Sequence, residues 1–413
     1  MNLELYIARR LIGGRQDKSS ISAPIIKIAI AAIALGILMM LTALATGVGL
    51  KYKIREKVAA FNGHIQIFNY DNNVSRVSVL PVSLDQEFYP DFQLTDGVAH
   101  IQAVATKAGI IRTEDTFEGI IAKGVGPDYN WSAFEEFLVS GSLPDYSGDL
   151  GIQVLVSRLM ANRLGLEVGG RFNSFFLKEE DPSKVPNRRV FEVSGIYDSG
   201  FEEFDGTYIF TDIRHIQRMN GWEADQIGNF EIFLDDFDAI QEKTGEIYDQ
   251  TLSELDTQNI ENRYYQIFEW IGLFDFNIAL IIGIMILVGG INMITALLVL
   301  ILERTPMIGI LKALGSPNWS IRKIFLYNAA YLIGIGLLWG NALALLLIFL
   351  QDKYKLFKFP NPEEYYIEYI PVYMDVPTLL SLNIGVLLLC LLMLLLPSYI
   401  ITRISPVRAM QFE

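Results

Sequence analysis

The chain has 413 residues, 51% of them hydrophobic, and a mean hydropathy of +0.32, which is high for a protein soluble throughout. A formal net charge of −14 excludes general affinity for nucleic acid phosphate. The single cysteine, Cys390, lies inside an apolar run and leaves no internal disulfide to form.

The apolar excess sits in four runs without a charged residue, at 28–50, 276–302, 324–350 and 376–401. At about 1.5 Å per residue, a helix of this length covers the roughly 30 Å hydrocarbon core of a bilayer. Helices of soluble cores seldom run so far without a charge, so the runs predict four transmembrane helices. In chain order, a basic head at 1–23 comes first. Its "LELYIARRLIGG" fits an amphipathic helix lying along the membrane surface, or a plain topogenic signal. The first span, 24–50, is too long and too far from the start for a cleaved signal peptide, and no small-residue cleavage site follows.

Residues 51–269 hold the acidity, with 19 Lys/Arg against 37 Asp/Glu; residues 1–50 carry five against two and residues 270–413 nine against eight. "HIQIFN", "RVFEVSGIY", "GTYIFTD" and "NFEIFLDD" have strand periodicity, and "VSRLMANRLGL" reads as a helix. The segment is a solvated α+β domain, and "SLPDYSGD" at 142–149 suggests a connector between two subdomains. Three spans follow, at 270–302, 324–350 and 376–401, joined by a 303–323 connection and a 351–375 loop and ending in a 402–413 tail.

Eleven Lys/Arg lie in the head, the 303–323 connection and the tail, against seven flanking the opposite ends of the spans. This bias puts those three segments in the cytoplasm and the domain outside. The expected fold is an α-helical membrane protein: four transmembrane helices plus a large extracytoplasmic α+β domain between the first and second.

The stretch "VLILERTPMIGILKALGSP" is then the one sizeable cytoplasmic connection. Glu303 and Arg304 mark the interface, and Pro306 suits the first turn of a new helix, Met307 to Leu314. Gly315 is its stop. Ile308, Leu311 and Leu314 recur at three-residue spacing and form an apolar face, which lipid headgroups or, more specifically, a partner protein would cover.

"ERTPMIGILKALGS" resembles the coupling-helix signature of the FtsX/MacB-type ABC permeases, and "LLPSYIITRISPVRAMQFE" resembles the C-terminal pattern of that family. "GIQVLVSRLMANRLGLEVGGRFNSFF", "RRVFEVSGIYDSGFEEFDGTYIF" and "FEGIIAKGVGPDYNW" are similar to the exported domain of its lipoprotein-releasing, LolC/LolE-like members. The resemblance runs over nearly the whole chain. It implies a lipoprotein-releasing permease that works as two copies or two homologues, with Glu303, Arg304, Ile308, Leu311, Lys312, Leu314 and Gly315 at the contact with a cytoplasmic ABC ATPase subunit. No G-x-x-x-x-G-K-[ST] occurs, so no cofactor is expected in this chain; ATP and Mg belong on the partner subunit. Many family members have an acid where this chain has Met307, so no ion pair is carried over there.

The resemblance also implies a cavity between the first two spans that takes the acyl chains of a lipoprotein drawn from the membrane lipid. Gly36, Met39, Met40, Gly283, Met285 and Met293 are its candidate lining, helix packing being the alternative role of such residues. Asn292, Thr295, Asn328 and Asn341 read as interhelical hydrogen-bond partners. The charged loop "LKEEDPSKVPN", with Pro182 and Pro186, matches the position at which a related permease engages a periplasmic lipoprotein carrier; a solvated hairpin tip is the other reading.

The three histidines, His64, His100 and His215, lack metal-ligand spacing, and the acids of "GFEEFDG" are explained by solvation beside a turn, which argues against an exported hydrolase. Two alternatives to lipoprotein release stay open: a mechanotransmitter that switches a periplasmic hydrolase, and efflux of small hydrophobic compounds.

Overall fold

A computed structural model of the chain describes residues 3–13, 22–72, 75–93, 95–113, 116–177, 186–360, 367 and 369–404. They fall into two compact units, one drawn from 1–52, 271–357 and 370–413, the other from 53–270 and 358–369. The opening helices are α1 (Leu3–Gly13) and α2 (Ser22–Asn62). Pro24 sits in the first turn of α2, where its missing N–H costs nothing. The helix runs past the charge-free stretch through Lys51, Lys53, Arg55 and Lys57, so residues of α2 belong to both units.

The second unit is built on a ten-stranded sheet with a small two-stranded one beside it. Its elements are β1 (Ile65–Asn69), β2 (Val82–Ser83), β3 (Val98–Arg112), β4 (Phe117–Val125), α3 (Ser132–Phe137), β5 (Leu138–Gly141), β6 (Gln153–Ser157), α4 (Arg158–Leu164), β7 (Arg171–Phe176) and β8 (Asn187–Tyr197). Then come α5 (Glu202–Asp205), β9 (Tyr208–Asp212), α6 (Ile213–Asn220), β10 (Gln226–Ile227), β11 (Asn229–Leu234), α7 (Ile240–Gln250), β12 (Leu255–Asn259) and α8 (Ile260–Arg263).

Strands β3, β4, β9, β6, β8 and β7 pair in succession, and β7 returns to β3, closing a ring. The 15 residues of β3 make this possible, because its first half pairs with β11 and its last residues with β7. Alternation in β8 sends Phe191, Val193 and Tyr197 inward. The core is aromatic: Phe61, Phe134, Tyr197, Phe204 and Phe210 are fully buried, with Phe134 and Phe210 edge-to-face at 4.6 Å. The 142–149 segment joins β5 to β6, and both strands pair with β8. It therefore connects positions within one sheet and does not separate subdomains.

The first unit continues with α9 (Tyr265–Glu303), α10 (Thr305–Ala313), α11 (Asn318–Tyr354), α12 (Val376–Ser398) and α13 (Ile400–Arg403). Among the described residues, four stretches are long and apolar enough to cross a membrane: Pro24–Asn62, Tyr265–Glu303, Asn318–Tyr354 and Val376–Arg403. Asp375 caps α12 by accepting from the Thr378 N–H at 3.1 Å, and Pro397 lies just before the break between α12 and α13.

Small residues set the helix spacing. A Cβ on Gly336 would lie 2.7 Å from Ile33 Cγ2, and one on Gly340 would lie 2.7 Å from Ile37 Cβ. This Gly-x-x-x-Gly stripe lets α11 approach α2 closely, as in membrane helix dimers. Asn341 and Asn383 exchange two hydrogen bonds, at 2.6 and 2.9 Å, joining α11 to α12. Thr295 instead bonds its own helix, to the Ile291 carbonyl. Cys390 is buried in the bundle core.

Candidate functional site

The connection between α9 and α11 folds as the sequence suggests and faces otherwise. Helix α10 has Pro306 in its first turn, and it ends with Gly315 in the left-handed region at φ 86°. The Gly315 N–H donates to the Lys312 carbonyl and the Ser316 N–H to that of Leu311, both at 3.0 Å, the paired bonds of a Schellman stop.

Which side of α10 is free differs from the expected one. Ile308 is 0% exposed and belongs to the bundle core with Ile301, Ile321 and Ile401, and Met307 and Leu311 pack partly against the same cluster. Ile308 is therefore no docking knob. Leu314 is 77% exposed and Ile310 53%, with Pro306 and Ala313 exposed beside them. Positions 306, 310, 313 and 314 follow helical spacing, so the bare apolar face lies nearly opposite Ile308. Three-residue spacing alone could not tell these faces apart, because both are apolar.

Lys312 turns inward as well. Its Nζ donates to the carbonyl oxygens of Ile401 and Ile404, each at 2.7 Å, and of Thr402 at 3.4 Å. It serves as the cationic cap of α13, whose last carbonyls lack helical partners. Partial burial holds the Lys312 ammonium below its usual pKa. Glu303 is exposed and Arg304 half-buried, at the junction where Thr305 Oγ1 donates to the Leu302 carbonyl at 2.8 Å. At the other end of the connection, Ser320 Oγ donates to Glu4 at 3.1 Å, which fixes α1 against α11.

The residues proposed from the sequence for a substrate cavity separate into two groups. Met40 and Met293 are 2% and 1% exposed and pack inside the bundle, and Gly36 is buried with the Met285 carbonyl 4.0 Å from where its Cβ would be. These are packing positions, as is Met285, half-buried against the core. Met39 is 52% exposed, and Gly283 is exposed with open space where a side chain would be. On α9, Phe276, Leu280, Ile284, Leu287 and Ile291 form an exposed apolar stripe that continues the Gly283 side. At the far end of the same two helices, Lys51 pairs with Asp275 at 2.7 Å.

In the domain, Pro186 is exposed at the entry to β8; Pro182 and its neighbours at 178–185 lie outside the described residues. The sequence did not signal a buried ion pair. Lys123 Nζ lies 2.7 and 2.8 Å from the two Glu231 carboxylate oxygens and donates to the Phe61 carbonyl at 2.6 Å. Gln102 donates to Glu231 at 2.9 Å, and the Tyr129 hydroxyl donates to the Ala60 carbonyl at 3.2 Å. The cluster caps the last turn of α2, so every polar end of the pair is satisfied. Burial opposes the charged form of Lys123, and Glu231 supports it.

Asp205, expected to be solvated, is buried. Ser199 Oγ donates to it at 2.6 Å, yet burial, opposed by that bond and assisted by Asp198, pushes its pKa up to about 7. Lys57, which donates to the Ser199 carbonyl, is brought down to about 8 by burial. The histidines bind backbone: His64 Nδ1 accepts from the Leu234 N–H at 2.9 Å, and ring nitrogens of His100 and His215 meet the carbonyls of Asp128 and Gly151. Among the described residues no cluster of His, Cys, Asp and Glu is arranged to hold a metal.

Four membrane helices, an α+β domain inserted between the first two, and a connection helix with one bare apolar face define a polytopic membrane protein with a large inserted domain. The MacB-like periplasmic core domain model matches residues 28–247 and the FtsX-like permease C-terminal model residues 279–406. The chain belongs to the FtsX/MacB-type ABC transporter permeases. It is similar to the lipoprotein-releasing system transmembrane protein LolC of Haemophilus influenzae, 24% identical over 289 residues, which cover 69% of this chain and 68% of that one. LolC of Neisseria meningitidis is 22% identical over 431 residues, covering 100% of both chains. LolE of Haemophilus influenzae is 22% identical over 431 residues and 99% of both. The chain is thus a non-catalytic, multi-pass subunit of the inner membrane with its large domain in the periplasm, which puts the α9–α11 connection in the cytoplasm.

Proposed function

We propose that the chain is the permease subunit of an ABC transporter that extracts lipoproteins from the outer leaflet of the inner membrane and releases them to a periplasmic carrier. A separate cytoplasmic ATPase, carrying ATP and Mg, drives it. The observation that carries this reading is the unequal burial of the two apolar faces of α10: one is locked into the bundle through Ile308, and the opposite one, Ile310 and Leu314, is bare. A short helix so divided converts the movement of a protein seated on its free face into movement of α9 and α11, to which it is joined at both ends.

The exposed stripe of α9 with Met39 of α2 supplies an unselective apolar surface for acyl chains, at about 0.8 kcal/mol per buried methylene. A second copy or a homologue of this chain would enclose it. Relatives named for lipoprotein release support this substrate class.

The test is reconstitution. The chain is purified with its co-eluting ATPase, loaded with a triacylated lipoprotein, and ATP-dependent release to a soluble acceptor is followed. Release that stops when the ATPase cannot hydrolyse supports the proposal. A complex that hydrolyses ATP yet neither binds nor releases lipoprotein overturns it in favour of mechanotransmission.

A further inference from the structure

A second apolar surface of the bundle lies away from the α2 and α9 faces. Leu326, Tyr327 and Ala330 of α11 and Leu391, Leu392 and Leu395 of α12 line a groove of about 330 Å³ whose exposed surface is apolar. It lies in the half of the bundle nearer the cytoplasm, because α11 leaves the cytoplasmic connection at Asn318 and α12 returns to that side at Ser398.

The groove has a charged mouth. Arg322 and Lys323 precede Leu326 and Tyr327 by one helical turn on the same face of α11, and Tyr399 follows Leu395 by one turn along the other wall. The Arg322 guanidinium lies 4.7 Å from the centre of the Tyr399 ring and bridges the two walls, while its Nε–H has no hydrogen-bond acceptor among the described residues. Lys323 Nζ lies 5.9 Å from the centre of the Trp319 ring, itself half exposed, and Arg403 is exposed one turn beyond Tyr399. Among the described residues, Glu4 is the carboxylate that meets this rim, through Ser320, and the described cations there outnumber it. Trp and Tyr at such a depth mark the headgroup level.

We propose that this groove is a binding site for an anionic glycerophospholipid of the cytoplasmic leaflet, with one acyl chain between α11 and α12 and its phosphate on Arg322 and Lys323. Charge complementarity selects this occupant. A second copy of the chain would bring the same cations to the mouth, and a zwitterionic lipid would leave their charge unanswered. The site is independent of the outer-leaflet surface of α2 and α9 and of what that surface carries.

The experiment uses the full chain in lipid nanodiscs of phosphatidylethanolamine and phosphatidylglycerol, released and counted by native mass spectrometry. The wild type is expected to retain phosphatidylglycerol in preference to phosphatidylethanolamine. Arg322→Gln and Lys323→Gln should each lower that preference, by roughly fivefold per cation, and Arg322→Lys should keep most of it. Leu392→Trp, which fills the groove without touching charge, should lose the retained lipid of either headgroup. Circular dichroism and the thermal midpoint of each variant verify folding. Equal retention of both lipids by the wild type, an unchanged preference when Arg322→Gln and Lys323→Gln are combined, or lipid-independent dimers cross-linked through Leu392→Cys would each overturn the proposal.

Discussion

Lys312 and Ile401 are joined by a 2.7 Å hydrogen bond from ammonium to carbonyl, which ties the middle of the cytoplasmic connection helix to the end of the last membrane span. A residue that reads in sequence as a partner-facing cation is instead an internal strut. Lys312→Met keeps the apolar stem and deletes the donor. Charge-assisted bonds contribute about 1.5–3 kcal/mol each, so the α13 end should loosen. A nitroxide on Thr402→Cys is expected to gain mobility in Lys312→Met, and unchanged spectra would show that the strut carries no load.

The two faces of α10 should respond differently to substitution. Ile310→Asp and Leu314→Asp place charges on the bare face. They are expected to leave the thermal midpoint of the purified chain nearly unchanged while abolishing association with the ATPase proposed above. Ile308→Ala removes a fully buried side chain and should cost about 2–5 kcal/mol of stability. Differential scanning fluorimetry and co-purification, run on all three, separate the effects.

Gly340 permits the contact between α2 and α11. Gly340→Leu must displace Ile37 and the Ala34 carbonyl, which lie 2.7 and 2.8 Å from the new Cβ. Overpacking of this kind costs about 1–3 kcal/mol or more, so the detergent-solubilised chain should unfold at lower temperature. Gly334→Leu, where the added Cβ meets open space, is the control expected to be near neutral.

Breaking the Lys123–Glu231 pair from one side strands a charge in the domain core, and removing Lys123 also takes away the donor to the Phe61 carbonyl at the end of α2. Glu231→Gln or Lys123→Met should cost about 3–5 kcal/mol, and the double change to Met and Leu should recover part of the loss. Urea unfolding followed by aromatic fluorescence gives the cycle. Additive single and double values would mean the pair is not coupled.

Asp205 imposes a pH dependence. Its carboxyl titrates at about 7 in the folded domain against 3.8 for an ordinary Asp. Between those values the native state holds a proton that the unfolded chain has released. Its stabilising contribution is therefore complete below about pH 4 and lost as pH rises through 7. Lys57 acts in another window: its folded value of about 8 lies below the ordinary 10.5, so it adds stability as pH climbs between them. Asp205→Asn should remove the decline between pH 4 and 7 from the hydrogen-exchange protection of α5 and β9. A profile identical to the wild type would exclude Asp205 as its source.

Much of the architecture is legible in the chain because its signals are local. The four spans are visible as charge-free runs, since the bilayer demands about 20 consecutive apolar residues wherever a helix crosses it. Pro306 and Gly315 bracket α10 for reasons confined to the backbone at those residues, and short runs rich in β-branched and aromatic residues mark β1, β8, β9 and β11, although burial alternates cleanly only along β8. The 15-residue β3 escaped notice, because its two halves serve different neighbours and its burial follows no single alternation.

Sequence by itself determined the spans, the acidic domain between them and a short capped helix in the connection, since hydropathy, proline and glycine act where they stand. Only the tertiary structure decided which side of that helix is free, which methionines are core, that Lys312 points inward, and that Lys123, Glu231 and Asp205 are buried. Each of these depends on partners far away in the chain. The burial of a side chain is a property of what packs against it, and spacing along one helix cannot report that.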